Sequence, residues 1–379
     1  MAQLFQTAGC LGNVLAKYLG FDVGWDAIQS ALIDKYYHGI RAAYDWRMSI
    51  DPSDSPNAID TYLIPALDEA KDGVIDRKVH VIAHSLGGLL VRSYIQSNKY
   101  RNDIDKFVMM GTPNNGGAEM YYLFEGGDMP DSGPLWIRLR TIDNLFEKWN
   151  KKWKDSKECT QEFNGQITCN LYSSANAVSF LREQMPSARQ VLPPPGEKYL
   201  YDPKSGAKEP KAFLNDFLKD LNDNMELLKQ RVTIGVCCGN MGSNSSTVGI
   251  DLEKSGNLGT VYPDGVPQGH YMNDPKGSRK GEGDGTVPLS SATTVSGDSN
   301  YLVQGSAAAH AFLPKACKDF AVNFVTGGVA GSALAHAMNR TAQAIINLPQ
   351  LRFRNGGLAD MQGPTIALLK GGGYPLWHG

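Results

Sequence analysis

The ten residues Val79-His80-Val81-Ile82-Ala83-His84-Ser85-Leu86-Gly87-Gly88 decide the fold prediction. An apolar, β-rich run leads into Ser85, and the residues that follow have the spacing of a helix. A serine at so tight a strand-to-helix turn needs small residues two positions before and two positions after it, and Ala83 and Gly87 meet that need. The turn raises the hydroxyl above the sheet and places the Leu86 N–H to donate to an oxyanion. We therefore predict Ser85 as a nucleophile, the alternative being a plain helix N-cap.

Strand and helix patterns alternate on both sides of this turn. Apolar runs at Ile40–Trp46 and Ile104–Gly111 predict strands, and helical spacing predicts a helix over Asn57–Lys71. Strand character returns at Arg231–Val236, and a helix is predicted over Phe312–Val325. This alternation predicts an α/β protein with a mostly parallel sheet and crossover helices.

The pattern divides the chain into four segments. Residues 1–113 and 231–325 carry the two parts of the core. Between them, residues 114–230 are rich in turns, with clustered Gly, Pro, Lys and Trp, which predicts a cap or lid inserted over the sheet. Residues 326–379 form a Gly-rich extension of unknown role, for which poor order is the default expectation.

The composition excludes several classes of protein. The chain has 379 residues, of which 42% are hydrophobic, so it can build a core and is not disordered as a whole. Its 37 basic and 39 acidic residues give a net charge of −2, which offers no broad positive field for nucleic acid. The sequence contains no run of 18 apolar residues, so no transmembrane helix is predicted. Met1–Thr7 lacks the features of a signal peptide, and localisation stays unknown.

A serine nucleophile needs a base, because its free hydroxyl reacts poorly at neutral pH. For a strand–serine–helix site of this kind the chain order is serine, acid, histidine, which excludes His38 and His80. His84 is next to Ser85, and its side chain should leave the turn in another direction, so we predict that it packs. His310, after one strand candidate and before the last helix, is the predicted base. The remaining histidines are the runner-up His270 and, in the C-terminal extension, His336 and His378.

The acid should lie between the serine and the base. Asp284, in Gly283-Asp284-Gly285-Thr286-Val287-Pro288, is the clearest candidate, because a glycine on each side lets the loop turn sharply. A carboxylate there would hold the imidazole tautomer and stabilise imidazolium. The alternative is a surface Asp-Gly turn. Weaker acid candidates are Glu282, Asp264 and Asp251.

No His, Cys or carboxylate cluster has the spacing of metal ligands, so neither a metal nor another cofactor is predicted. The six cysteines are too few for a disulfide scaffold and are expected to be buried free thiols. Cys237 and Cys238 are adjacent on a predicted strand and should point to opposite faces. Pairing stays open for Cys159 and Cys169, which flank a polar loop.

Five motifs, taken together, make the sequence resemble one family. They are Tyr44-Asp45-Trp46-Arg47, Ala83-His84-Ser85-Leu86-Gly87-Gly88, Gly111-Thr112-Pro113-Asn114-Asn115-Gly116-Gly117, Gly283-Asp284-Gly285-Thr286-Val287-Pro288-Leu289 and His310. They occur in the order seen in lecithin:cholesterol acyltransferase-like proteins, a family that includes phospholipid:diacylglycerol acyltransferases and lysosomal phospholipase A2. The likeness extends over roughly Leu19 to Val325, including Phe180–Pro193 in the insertion.

The resemblance implies an α/β-hydrolase fold with a lid, and a catalytic triad of Ser85, Asp284 and His310. It implies an acyl-enzyme that passes its acyl group to an alcohol or to water. Asp45 and Arg47 are expected to form a structural ion pair, with Trp46 an alternative acyl-site residue. Gly111-Thr112-Pro113 is expected only to turn the chain toward the lid.

One departure from the family concerns the oxyanion hole. The family takes its second donor from a Pro-Gly loop after an earlier strand, which should lie near or before residue 1. The nearest equivalent here is Ala8–Gly12, where the backbone of Cys10 or Leu11 would donate. Either this is a degenerate oxyanion loop or the strand is missing from this chain. Losing one such donor typically costs about 100- to 1,000-fold in rate.

The predicted lid contains apolar residues near helical spacing, among them Trp149 and Trp153, with several lysines between them. This pattern fits a helix that contacts lipid headgroups, and fits somewhat better a lid helix that packs its tryptophans on the core. The sequence thus predicts a lipid-directed serine acyltransferase or acyl hydrolase, with a lipid ester as its substrate. The alternatives are a general carboxylesterase for short-chain esters and a weakly active, lipid-binding pseudoenzyme.

Overall fold

The computed structural model describes residues 24–35, 37, 39–74, 76–126, 159–163, 166–169, 175–253, 259–268, 277–327 and 366–370. Strands are numbered β1–β12 along the chain. The main sheet has the order β1-β12-β2-β3-β8-β11. Its strands are β1 (Gly39–Ala42), β2 (Val79–His84), β3 (Ile104–Met110), β8 (Thr233–Asn240), β11 (Ser299–Gln304) and β12 (Ile366–Lys370).

Four neighbouring strands of this sheet are parallel. The pairs β2/β3, β3/β8 and β8/β11 all run in the same direction, and their carboxyl ends therefore meet at one edge. Ser85 follows β2 directly, so it lies at that edge. The mostly parallel sheet flanked by helices confirms the predicted α/β class.

Helices cover the sheet on both faces. The helices are α1 (Trp25–Ile33), α2 (Ile64–Lys71), α3 (Leu86–Gln96), α4 (Met120–Gly126), α5 (Ala175–Gln184), α6 (Pro186–Gln190), α7 (Asp216–Asp223), α8 (Met225–Arg231), α9 (Leu289–Ala292), α10 (Leu313–Ala316) and α11 (Lys318–Thr326). Alternate strand residues enter different cores: Val81 packs in the core that holds α2 and α3, whereas Ile82 packs in the core that holds α1, α10 and α11. A strand that is buried on both faces has a continuous apolar sequence, which explains the apolar run that begins at Val79.

Two predicted helices begin or end differently from their sequence pattern. The helix predicted over Asn57–Lys71 starts with a π-turn over Ile59–Leu63 before α2 begins. The helix predicted over Phe312–Val325 is interrupted at Cys317, whose φ of −90° and ψ of 1° leave the helical region. The break separates α10 from α11.

A second, four-stranded sheet has the order β10-β9-β6-β7. Its strands are β6 (Leu200–Asp202), β7 (Gly206–Lys208), β9 (Ser246–Asp251) and β10 (Ser278–Gly281), while β4 (Cys159–Phe163) and β5 (Gln166–Cys169) form a separate hairpin. β9 and β10 come from the segment assigned to the core by sequence. The insertion at 114–230 therefore contains only half of this sheet.

β12 comes from the C-terminal extension that was expected to be poorly ordered. It lies between β1 and β2 and is antiparallel to both, with Ile366 opposite Ala83 and Lys370 opposite Val79. β12 therefore begins at the end of the sheet where Ser85 lies, and its chain runs toward the opposite end of the sheet. Across the described ranges, no helix is both long enough and apolar enough to cross a membrane.

Candidate active site

Ser85 occupies a strained turn between β2 and α3. Its φ of 57° and ψ of −132° lie where non-glycine residues are rare, a strain that proteins keep where the surrounding structure enforces it. The Ser85 N–H donates to the Met110 carbonyl at 2.9 Å, which ties the turn to the neighbouring strand. Leu86 begins α3, and the first N–H groups of a helix have no intrahelical partner. Ser85 therefore has the predicted elbow geometry, with an amide donor beside it.

Ser85, His310 and Asp284 form one chain of hydrogen bonds. Ser85 Oγ is 2.9 Å from His310 Nε2, and His310 Nδ1 is 2.6 Å from Asp284 Oδ2. A carboxylate only accepts, so Nδ1 carries the proton and donates it, and the Nε2 lone pair faces the serine hydroxyl. The three residues are 3%, 1% and 2% exposed, respectively. The arrangement can take a proton from Ser85 and hold it on an imidazole next to a carboxylate.

The loop around Asp284 fixes its carboxylate. Asp284 Oδ1 accepts from the N–H groups of Thr286 at 3.0 Å and Val287 at 2.7 Å, so Oδ2 is left for His310. The Asp284 carbonyl also accepts from the His310 N–H at 2.8 Å. The glycines beside Asp284 thus belong to a loop that holds both ends of the acid–base pair.

Gly111 lies next to the hydrogen-bonded Asp284 and His310 side chains. Its φ is +56°, and a Cβ at this position would lie 3.0 Å from Asp284 Oδ2, 3.1 Å from His310 Nδ1 and 2.6 Å from Leu313 Cδ1. From the sequence we expected Gly111-Thr112-Pro113 only to turn the chain. The structure shows that Gly111 also leaves the space in which the Asp284–His310 hydrogen bond forms.

A second glycine is required by close packing in the nucleophile helix. A Cβ on Gly88 would lie 1.9 Å from Thr112 Oγ1, so the first turn of α3 is in contact with the loop after β3. The strand-to-helix turn pattern predicts small residues only at Ala83 and Gly87. The need at Gly88 comes from a neighbour that is distant in sequence.

The Arg92 side chain connects the nucleophile helix α3 to the loop after β3. The guanidinium is fully buried and donates to the Asn114 carbonyl, to Asn114 Oδ1 at 3.2 Å and to Asn222 Oδ1 at 2.7 Å, while its Nε donates to Gln96 Oε1. These partners are all neutral, and burial lowers the pKa of Arg92 to about 9. No sequence pattern had marked Arg92. It joins the nucleophile helix to the Asn114-Asn115 loop and to α7.

The rival acid candidates lie in other surroundings. Asp264 accepts from the N–H groups of Lys211 and Ala212 at 2.9 Å, and Asp251 pairs with Arg279 at 2.7 Å. His80 lies at the opposite end of β2 from Ser85, with its Nδ1 3.4 Å from Asp105 Oδ2. The predicted residues Cys10, Leu11, Trp149, Trp153, His270, His336 and His378 lie outside the described residues.

The predicted ion pair after β1 is present. Arg47 Nε donates to Asp45 Oδ1 at 2.7 Å, and Arg47 Nη2 contacts Asp45 Oδ2. The Arg47 N–H also donates to Asp45 Oδ1 at 3.1 Å, so the pair closes a tight local turn. Trp46, between them, is buried. Its role at an acyl site stays a prediction.

The cysteines differ from the expectation of free thiols. Cys237 of β8 and Cys317, between α10 and α11, form a disulfide, so the prediction was wrong for these two residues. Cys238 is a buried free thiol on the opposite face of β8, as predicted. Burial and then the negative charge of Asp284 raise the pKa of the Cys238 thiol to about 12. The backbone register places Cys159 opposite Cys169, and their pairing stays a prediction.

Among the described residues, no group of three or more His, Cys, Asp or Glu side chains is arranged to hold a metal ion. The hydrogen-bonded Ser85, His310 and Asp284 define the class of site that proteins of the α/β-hydrolase arrangement carry at the carboxyl edge of the sheet.

Comparisons with known proteins gave one family match and a likeness to a solved structure. The model of the lecithin:cholesterol acyltransferase family matches residues 35–160, which confirms the resemblance over the segment that contains β1, β2, β3 and Ser85. No curated protein matches the chain. Among solved structures, the chain is similar to one described as the crystal structure of the Tle4-Tli4 complex. The likeness has 11% identity and a TM-score of 0.40, over 78% of this chain and 67% of that one. The family match supports an enzyme that transfers or hydrolyses acyl groups of lipids.

Proposed function

We propose that this protein is a serine-dependent acyltransferase or acyl hydrolase that acts on lipid esters. The observation that carries the proposal is the hydrogen-bonded chain from Ser85 Oγ through the His310 imidazole to Asp284, placed at a strained turn before a helix. The match to the lecithin:cholesterol acyltransferase family supports a lipid as the acyl donor.

In the proposed reaction, Ser85 Oγ attacks the ester carbonyl while His310 Nε2 takes the hydroxyl proton. Asp284 stabilises the imidazolium, and the Leu86 N–H donates to the oxyanion. When the tetrahedral intermediate collapses, the ester C–O bond breaks and the leaving alkoxide receives the proton from His310. Water or a second alcohol then gives its proton to His310 and attacks the acyl carbonyl. The bond between the acyl carbon and Ser85 Oγ breaks, and His310 returns the proton to Ser85 Oγ. The acceptor decides between hydrolysis and transfer, and exclusion of water favours transfer.

The first test is labelling by a fluorophosphonate probe, which reacts with activated serines. Wild type should be labelled, and Ser85→Ala and His310→Ala should not. Ser97→Ala, which changes a serine at the end of the same helix, is the matched control and should be labelled like wild type. Absence of labelling in a folded wild type would contradict the proposal and favour the lipid-binding pseudoenzyme.

The second test identifies donor and acceptor. Phosphatidylcholine vesicles with and without cholesterol are compared with short-chain nitrophenyl esters, and free fatty acid and steryl ester are both measured. Turnover of phosphatidylcholine that is lost in Ser85→Ala supports the proposal, and the product shows which acceptor is used. Turnover confined to short-chain esters would instead identify a general carboxylesterase.

A further inference from the structure

His84 makes a direct contact with the candidate base. It is the last residue of β2 and is buried, and its Nε2 lies 2.9 Å from the main-chain carbonyl oxygen of His310. The His84 and His310 rings are also in contact, with centroids 4.5 Å apart and planes tilted by 39°. From the sequence we predicted only packing for this residue. The contact joins the nucleophile strand to the loop that carries the base.

The chemistry of the contact fixes the state of the His84 ring. A carbonyl oxygen only accepts hydrogen bonds, so Nε2 of His84 carries a proton and donates it. Burial, followed by the positive charge that His310 can carry, lowers the pKa of His84 well below its usual value, although the bond to the carbonyl opposes this shift. His84 is therefore neutral with its proton on Nε2. When His310 becomes imidazolium, the ring packed against it adds no second charge.

The main chain of His310 is held from two sides. Its N–H donates to the Asp284 carbonyl at 2.8 Å, and its carbonyl accepts from His84. Its side chain is held by Asp284 Oδ2 and Ser85 Oγ. Each of these four contacts comes from Asp284, from Ser85 or from the residue directly before Ser85. His84 is the member of this set that connects the β2 strand to the main chain of the base.

We propose that His84 is a positioning residue, whose Nε2–H holds the His310 carbonyl and thereby keeps the imidazole in line between Ser85 and Asp284. The inference rests on the function proposed above. The His310 carbonyl also accepts from the Leu313 N–H, so removal of His84 does not leave it without a donor. The effect of His84 substitutions is therefore expected on the geometry of the base more than on the stability of the fold.

The test compares His84 variants in which the aromatic ring and the N–H donor are removed separately. His84→Phe keeps a ring without a donor, His84→Met keeps apolar bulk without either, and His84→Gln keeps an uncharged N–H donor at a similar reach. His80→Phe is the matched control, because His80 is buried on the same face of β2, four residues earlier and away from Ser85. The measurements are the rate of fluorophosphonate labelling, kcat and KM for an ester, and the melting temperature.

His84→Phe and His84→Met should each lower the labelling rate and kcat about tenfold, as expected for loss of one aligning hydrogen bond. KM should stay unchanged. His84→Gln should recover to within about twofold of wild type, and His80→Phe should label like wild type. If folded His84→Phe or His84→Met labels at the wild-type rate, or if His84→Gln is as slow as they are, the proposal is overturned. Should one of the donor-free variants not fold, the comparison of the other with His84→Gln decides.

A readout without catalysis separates this inference from the proposed function. In the Ser85→Ala background, the Nδ1 proton of His310 should give a downfield NMR resonance, because it is bonded to Asp284 in a buried site. Adding His84→Phe should broaden or shift that resonance, and adding His84→Gln should restore it. An unchanged resonance in the His84→Phe protein would overturn the positioning role, whether or not wild type proves to be an enzyme.

Discussion

Two buried carboxyl groups of this molecule have opposite surroundings. Asp284, in the loop after β10, accepts three hydrogen bonds, from His310 Nδ1 and from two loop N–H groups. Glu125, at the end of α4, is fully buried, accepts one N–H from Asp264 at 3.2 Å through Oε2, and has no hydrogen-bond partner for Oε1 among the described residues. The same chemical group is surrounded by donors in one place and left short of them in the other.

A nearby cation does not make up the difference at Glu125. Arg182 donates to the main-chain carbonyls of Phe124 at 2.8 Å and Glu125 at 2.9 Å, and its guanidinium lies 4.3 Å from the ring centroid of Phe213. Burial, and then the negative charge of Asp264, raise the pKa of Glu125 to about 8. A cation that donates to main-chain carbonyls does not replace N–H donors aimed at the carboxyl oxygens themselves.

The largest expected effect comes from replacing the Asp284 carboxyl group by an amide. The corresponding replacement at Glu125 is its comparison. Asp284→Asn should lower kcat about 10,000-fold, because an amide no longer holds the imidazole in the tautomer that the serine needs. Glu125→Gln should leave kcat within about twofold of wild type. Steady-state kinetics on one ester, with melting curves for both variants, test this. A similar loss of kcat in the two folded variants would show that the Asp284 and Glu125 carboxyl groups do not differ in this way.

A smaller effect is expected when space is removed from the Asp284 cluster. Gly111→Ala should lower kcat about 100-fold, because the new methyl group presses on Asp284 Oδ2 and His310 Nδ1. The positive φ of Gly111 adds about 1 kcal/mol of strain. Gly73→Ala is the matched control, since Gly73 also has a positive φ, +72°, and a Cβ there would meet nothing within 4 Å. Equal kcat losses in the two variants would show that strain, and not crowding of the acid–base pair, is responsible.

The smallest effect on activity is expected at Glu125, where the prediction concerns stability instead. Because the pKa of Glu125 is about 8 in the fold and near 4.5 when exposed, the folded state keeps a proton that the unfolded state loses between these values. Glu125 therefore makes the free energy of unfolding fall as pH rises from about 4.5 to 8, and adds no slope above about pH 8. Glu125→Gln should remove this slope, so that its advantage over wild type grows toward pH 8.

Denaturant unfolding at pH 5, 6.5 and 8 measures that advantage directly. Glu226→Gln, at a highly exposed carboxyl group, is the control and should keep the wild-type pH dependence. Curves of unfolding free energy against pH that run parallel for Glu125→Gln and wild type would mean that Glu125 is ionised in the fold. The contrast with Asp284 would then be wrong.

Local patterns in the sequence predicted the parts of the site that depend on neighbours in the chain. The strand before Ser85, the helix after it and the Gly-flanked Asp284 all show in short stretches, and the structure brings Ser85, Asp284 and His310 together. Their catalytic roles stay predictions until the variants are measured.

The features that sequence reasoning missed depend on contacts between distant segments. The space left by Gly111, the contact of His84 with the His310 carbonyl and the disulfide between Cys237 and Cys317 involve partners that no local pattern relates. The pairing of β9 and β10 with β6 and β7 is of the same kind, because strand register is set by long-range packing.

The position of β12 has a consequence for synthesis of the protein on the ribosome. β1 and β2 are made long before residues 366–370, yet β12 is the strand that lies between them. Until β12 has been translated, each of these strands has an open edge facing the gap, and open edges pair readily with other chains. The main sheet can therefore be completed only late in translation, and a nascent chain that stalls before residue 366 lacks the strand that covers these two edges.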